Sequence, residues 1–204
     1  VPHLLALVKN TEYDTIYHQH LSYMGIKPLM PFLRRNGLEL FDVQERDIHG
    51  GSIRLFISRK GVYPIAPAIK QTLAAEEKAN LYDAAHMKKT FVKRVQEQRG
   101  ELVSLLRDIK QKGKTIVGVS APAKGNTLLN YCHITSELLG FITEKTIAKI
   151  GRYTPGTHIK IESDEKLLSS MPDYALILAW NFANEIMADL QEYKARGGKF
   201  IIPI

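Results

Sequence analysis

The pattern of apolar and polar positions divides the chain into three stretches. It is sharpest in residues 113–204. "TIVGVSA" from Thr115 is a β-branched apolar run, which suits a strand covered on both faces. "PAKGNTLLNYC" then opens a helix. "LLGFITE" gives a second strand, and "KIGRYTPGTHIKIES" a loop with a short third. "SDEKLLSSM" starts a helix with Ser163 as its cap. "DYALILAW" is a fourth strand, "NFANEIMADLQEYKARGG" a helix with a glycine stop, and "KFIIPI" the last strand. Strands alternating with helices predict a parallel sheet with right-handed crossovers, a Rossmann-like α/β domain.

Residues 61–112 differ. "VYPIAP" is a proline-punctuated lead-in, and Phe91, Val95, Leu102, Leu106 and Ile109 recur at helical spacing. With a break near Asn80, this stretch predicts one short and one long helix, a helical connector. Residues 1–60 open with a helix from Val1 to about Asn10. "YDTIYHQHLSYM" reads as a strand and its exit loop, and "KPLMPFLRRNG" as a helix stopped by Gly37. "LELFDVQERD", "IHGGS" and "IRLFISRKG" read as strand, turn and strand. That order is expected of the last third of a doubly wound sheet whose earlier part is missing.

Composition narrows the classes. No apolar run approaches the roughly 20 residues that span a bilayer. The opening lacks a basic leader, and the chain does not begin with Met, so we expect a continuation of a longer polypeptide in the cytoplasm. The lone Cys132 leaves no internal disulfide or CxxC metal knuckle. The net charge of +7 suits an anionic partner. The basic residues are scattered, without a zinc-finger or RNA-binding-sheet signature. A phosphorylated small molecule and a plainly solvated surface both remain open.

Ligands of such sheets sit at the carboxyl ends of strands. In "SAPAKGNT", Ser120, Lys124, Asn126 and Thr127 precede or open a helix whose N–H groups suit an anion. The loop is neither GxGxxG nor a Walker loop, and a tight capped turn would read the same. In "GRYTPGTH", Arg152 offers a fork for phosphate and Tyr153 a flat face for a base or sugar. Trp180 and Asn181 end a strand, as ligand groups or as packing. "HGGSIR" gathers His49, Ser52 and Arg54 around two glycines, or is a simple turn. Finally, Tyr17, His18, Gln19 and His20 crowd two imidazoles among tyrosines. On a strand, Tyr17 and Gln19 would face one way and the histidines the other. Histidine is the natural general base near neutral pH, and no third metal ligand is nearby.

"YDTIYHQHLSYM", "HGGSIR", "SAPAKGNTLLNYC", "GRYTPGTHIKI", "PDYALILAWNFANEI" and "GGKFIIPI", in this order, resemble the S-adenosylmethionine-dependent sugar C-methyltransferases. The resemblance runs along essentially the whole chain. It implies a transferase of deoxysugar biosynthesis that methylates a carbon of a nucleoside-diphosphate-linked keto-deoxysugar. Residues 1–60 would end the class I methyltransferase domain, 61–112 connect, and 113–204 form a C-terminal nucleotide-sugar-binding domain. The zinc cysteines and the glycine-rich loop that binds most of the methyl donor would lie upstream. The implied chemistry is removal of a proton next to the keto group, followed by attack of the enolate on the methyl donor. By this resemblance His20 is the base, Tyr17 sits beside the reacting sugar, and Gln19 completes the catalytic run. His18, His49, Ser52, Arg54, Ser120, Lys124, Asn126, Thr127, Arg152, Tyr153, Trp180 and Asn181 are implied substrate contacts. Gln19 departs from the family's usual glutamate, keeping a hydrogen bond but losing a charge. "TEKT" (Thr143 to Thr146) also departs, where an acid followed by Asp or Asn is expected. The implied partner is a nucleotide sugar, thymidine diphosphate-linked, with no nucleic acid or membrane, and a homo-oligomer stays open. The rival expectations are a non-catalytic nucleotide-binding module and an NAD- or coenzyme A-binding domain. Against NAD we count the missing GxGxxG and the missing acid after the second strand.

Overall fold

A computed structural model of the chain describes residues 1–46 and 50–204. The chain divides into two compact units. The first comprises Val1–Tyr13 and His18–Val95, the second Asp14–Tyr17 and Gln96–Ile204.

In the first unit, α1 (Leu4–Asn10) and α2 (Ile26–Arg35) precede an antiparallel pair, β1 (Leu38–Arg46) and β2 (Ser52–Arg59). The helix α3 (Pro67–Lys78) follows, with a proline at its start, where the missing N–H costs no helical bond. Ile26, Leu33, Leu40, Val43, Ile53 and Ile69 form a core from α2, α3 and both strands. The start of α2 has no side-chain cap of its own. Instead the fully buried Glu76 of α3 accepts from the backbone N–H of Ile26 (2.7 Å) and Lys27 (3.1 Å), from Tyr82 Oη (2.7 Å), and pairs with His3 Nε2 (3.2 Å). A carboxylate fifty residues away thus satisfies donors that the helix leaves open.

The stretch Tyr13–Met24 is not a strand. It holds a 3-10 turn over Tyr13–Thr15, a tight turn through Tyr17–Gln19 and one isolated bridge from Met24 to His3. Thr11 closes α1 in the left-handed region, and Glu12 N–H bonds back to Leu7 O (2.9 Å). The chain therefore leaves α1 already turning, and among the described residues the stretch pairs as a strand only at the Met24–His3 bridge. The alternating faces expected of Tyr17 to His20 do not arise.

The expected two helices are present. α3 ends at Lys78, and the next begins after Asp83, whose carboxylate caps Ala85 and His86. α4 (Ala84–Met87) passes through a π-helical turn (Lys88–Val92) into α5 (Lys93–Gln111). The division between the two units falls inside α5, so the stretch read as a connector is shared between them.

The second unit carries a five-stranded, wholly parallel sheet in the order β5-β4-β3-β6-β7. Its strands are β3 (Ile116–Val119), β4 (Ile142–Glu144), β5 (Ile161–Ser163), β6 (Tyr174–Ile177) and β7 (Lys199–Ile201). The helices α6 (Ala123–Cys132), α7 (Glu165–Ser170), α8 (Ala183–Asp189) and α9 (Gln191–Ala195) connect them. β3 and β6 are buried nearly throughout, as their apolar runs require. Ser163 ends β5, and Asp164, not Ser163, precedes α7. The long last helix is broken at Leu190 into α8 and α9. The fold is α/β, as the alternation of elements predicts. The strand order reverses between β3 and β6, which makes their carboxyl ends the switch point where such sheets hold ligands.

Candidate functional site

At that switch point β3 is followed by Ser120, a non-glycine residue with φ of 68°. Its N–H donates to Thr143 O (2.9 Å), and Ala121 N–H donates to Glu144 Oε2 (2.9 Å). Glu144 Oε1 accepts from Lys145 N, Thr146 N and Thr146 Oγ1, and Lys149 Nζ reaches both Glu144 Oε2 (3.2 Å) and Ala121 O (2.9 Å). Burial alone would raise this carboxyl. The surrounding donors outweigh burial and hold it at about 2. An acid therefore does stand at the end of the second strand of this sheet, contrary to the sequence expectation. Its lone pairs are directed at its own loops, so it is not a free acceptor for a ribose.

α6 starts at Ala123 behind Pro122, with no side-chain cap. Asn126 and Thr127 lie inside α6 and do not cap it; Asn126 O accepts from Asn130 Nδ2 (2.8 Å). Gly125 suits the close packing here, since a Cβ would stand 3.0 Å from Leu178 Cβ and 3.2 Å from Pro122 Cδ. Lys124 places its Nζ 3.8 Å from the centre of the Trp180 indole. The indole N–H donates to Asp14 Oδ2 (2.7 Å). Trp180 and Asn181 do not end the strand but open the 3-10 turn Trp180–Phe182 beyond β6; there the indole is engaged on one face by a cation and at its nitrogen by a carboxylate. Asp14 is fully buried, and its Oδ1 has no hydrogen-bond partner among the described residues. Burial pushes its carboxyl up to about 6; the Trp180 hydrogen bond and the Lys124 charge offset only part of that rise.

Beside these residues, a cleft of about 260 Å³ opens over the ends of β3, β4 and β6. Its walls include Ser120, Glu144, Asp164, Ala179 and Phe182. The buried Asn181 Oδ1 also lacks a partner among the described residues. The "GRYTPGTH" loop is locked from within: Thr154 Oγ1 meets Thr157 Oγ1 (2.7 Å) and accepts from Ile159 N (2.9 Å). Asn130 Nδ2 of α6 reaches Pro155 O (3.0 Å). Gly156, with φ of 78°, sits where any Cβ would meet the Asn130 side chain at 2.1 Å. Arg152 and Tyr153 are left exposed on it.

Tyr17 belongs to the second unit, and its N–H donates to Thr15 O (3.1 Å). His18, Gln19 and His20 belong to the first, where the His20 ring meets Tyr23 edge-on at 6.3 Å. Ser52 and Arg54 also lie in the first unit, at the start of β2, with Ser52 bridged to Pro2. His49 lies outside the described residues. The glycines of "HGGSIR" have a packing cause: a Cβ on Gly50 would strike the Glu12 carboxylate (2.6 Å), and one on Gly51 would strike Ala6 (2.4 Å). Asp14 was not singled out in the sequence, and Glu144 only as part of "TEKT", without a role of its own. The signal for Glu144 was its place as the last residue of a strand; for Asp14 none was local, because its partner is 166 residues away.

Among the described residues no helix is long and apolar enough to cross a membrane. The family model of the C-methyltransferase C-terminal domain matches residues 47–204. The C-methyltransferase NovU of Streptomyces niveus is 36% identical over 205 residues, an alignment covering all of this chain and 49% of NovU. The chain thus spans about half the length of that relative. With a doubly wound sheet under the matched region, the chain belongs to the C-methyltransferase C-terminal-domain family.

Proposed function

We propose that this chain is the C-terminal part of an S-adenosylmethionine-dependent C-methyltransferase acting on a nucleoside-diphosphate-linked keto-deoxysugar. The observation that carries the reading is the switch-point crevice of a C-methyltransferase domain, with Ser120 in its wall and the start of α6, which carries Lys124, following three residues later. The open N–H groups of α6 and the Lys124 ammonium suit a diphosphate. Arg152 and Tyr153 add a guanidinium fork and a flat ring for the nucleotide; Asn126, Thr127, Trp180 and Asn181 flank the grip. His18, His49, Ser52 and Arg54 are further substrate contacts in this reading.

Carbon acids are weak, so removing a proton beside a ketone needs a placed base and a donor to the enolate oxygen. His20 takes the proton, Tyr17 stands beside the reacting carbon, and Gln19 contributes a hydrogen bond without charge. The described residues contain no glycine-rich strand-to-helix loop in the first unit, where β1 runs into β2 by a hairpin. They do not fit the methyl donor, which other residues would hold, and the roles of this chain are proton removal and substrate grip.

Calorimetric titration with a thymidine diphosphate sugar, S-adenosylmethionine and NAD, side by side, tests this. Sugar-nucleotide binding, weakened by Lys124→Ala, is expected. Binding of NAD alone would overturn it. In a methylation-competent enzyme carrying these residues, His20→Ala should lower kcat by roughly 10³-fold with sugar binding intact.

A further inference from the structure

Four residues, Asp14–Tyr17, are grouped with the second unit, while the residues on both sides of them are grouped with the first. Something in the second unit must hold this short segment, and one bond is evident. Trp180, in the 3-10 turn after β6, donates its indole N–H to Asp14 Oδ2 at 2.7 Å. The indole is itself fixed by Lys124 of α6 over its face. Thr15 is buried next to Asp14, and the backbone N–H of Tyr17 closes on Thr15 O. The orientation of Tyr17 is therefore set three residues downstream of a buried, directional contact.

Asp14 does not look like a device for stability. A buried carboxylate gains stability when many donors face it, as at Glu144. Asp14 has Oδ1 unpartnered and fully buried. Lys124 bears on it as a charge, and with the backbone amides of Asp14 and Thr15 and the indole it offsets only part of the effect of burial. Burying such a group unfavours folding, whereas an apolar side chain would fill the same space without that cost. What the carboxylate adds is direction.

We propose that the Asp14–Trp180 hydrogen bond is a latch in which Asp14 is a positioning residue, fastening the Asp14–Tyr17 segment to the carboxyl end of β6 and so placing Tyr17. This rests on the reading of Tyr17 as a sugar-facing group. The latch is strongest with Asp14 ionised and slackens on protonation, in the range near pH 6 to which burial pushes that carboxyl.

Trp180 is the one tryptophan of the chain, so its fluorescence reports the latch without any substrate. Wild-type emission should titrate with a midpoint near 6, and Asp14→Asn should abolish the transition while His18→Asn and His20→Asn leave it. A transition that persists in Asp14→Asn, or that vanishes with either histidine, overturns the latch. In a methylation-competent enzyme, Asp14→Asn and Trp180→Phe should each lower kcat about tenfold at little change in KM. The double variant should be no worse than either single one. Trp180→Phe keeps the ring under Lys124, so it guards against a mere folding defect. Unchanged kcat in both single variants would overturn the positioning role even if the fluorescence transition is found. Failure of the proposed reaction is seen separately, as full activity of His20→Ala.

Discussion

Glu144 and Asp14 sit in the same unit, both removed from water, and their carboxyls move in opposite directions. Glu144 ends a strand and faces three backbone N–H groups, a hydroxyl and an ammonium. Asp14 sits in a one-turn 3-10 helix and has the indole N–H on one oxygen and no partner among the described residues on the other. Burial pushes both upward. The number of donors decides the outcome, leaving Glu144 at about 2 and Asp14 at about 6. One is a fixed strut between loops, and the other a group that titrates near physiological pH. Glu76 of the first unit falls with Glu144: burial opposes it, but His3, Tyr82 and two backbone donors hold it below the usual carboxylate range.

The comparison is broken most severely by emptying the strut. Glu144→Ala strips the acceptor from three backbone donors, and we expect a loss of about 3 kcal/mol in urea unfolding at pH 7. Its acid dependence follows from the lowered carboxyl. The stabilisation is fully present above the unfolded value of 4.5 and is lost as pH falls toward 2. Glu76→Gln should cost about 2 kcal/mol in the same measurement, since one amide oxygen cannot replace two carboxylate oxygens taking four contacts. Lys124→Met keeps the stem over the indole and removes the charge. It should weaken sugar-nucleotide binding about tenfold by calorimetry, and shift the Asp14 titration further upward. The smallest effect has the opposite sign to the first. With its carboxyl raised above 3.8, Asp14 disfavours the folded state increasingly as pH rises from about 4 to about 6. Asp14→Asn should therefore gain about 1 kcal/mol at pH 7 and nothing at pH 4, measured by thermal unfolding at both. A loss at both pH values would make Asp14 a second strut.

Why one carboxylate could be anticipated and the other not is a matter of range. The parallel sheet was legible because "TIVGV" and "YALI" are apolar on both faces, and that pattern is local. The long helix was legible from its periodic Val95, Leu102, Leu106 and Ile109, all buried. The Asn80 break was legible as well, and Asn80 adopts φ of 48° there. "YDTIYHQH" misled, because aromatic and β-branched residues favour a strand only where a neighbouring strand exists to pair with. Asp14 drew no attention, since Trp180 lies at the far end of the sequence and only the folded sheet brings them together. At "HGGS" the glycines read equally as a ligand loop or a turn, and only Glu12 and Ala6, packed from the helix side, show what a Cβ would hit.

The order of the sheet also sets a schedule for synthesis. β3 lies at its centre, yet Ile116 pairs with Tyr174 of β6, which the ribosome delivers much later. At about 5–20 residues per second, this wholly buried strand waits some seconds with one edge unpaired. During that interval β4 can cover one of its edges while the edge meant for β6 stays open, so crowding of nascent chains is then an aggregation hazard.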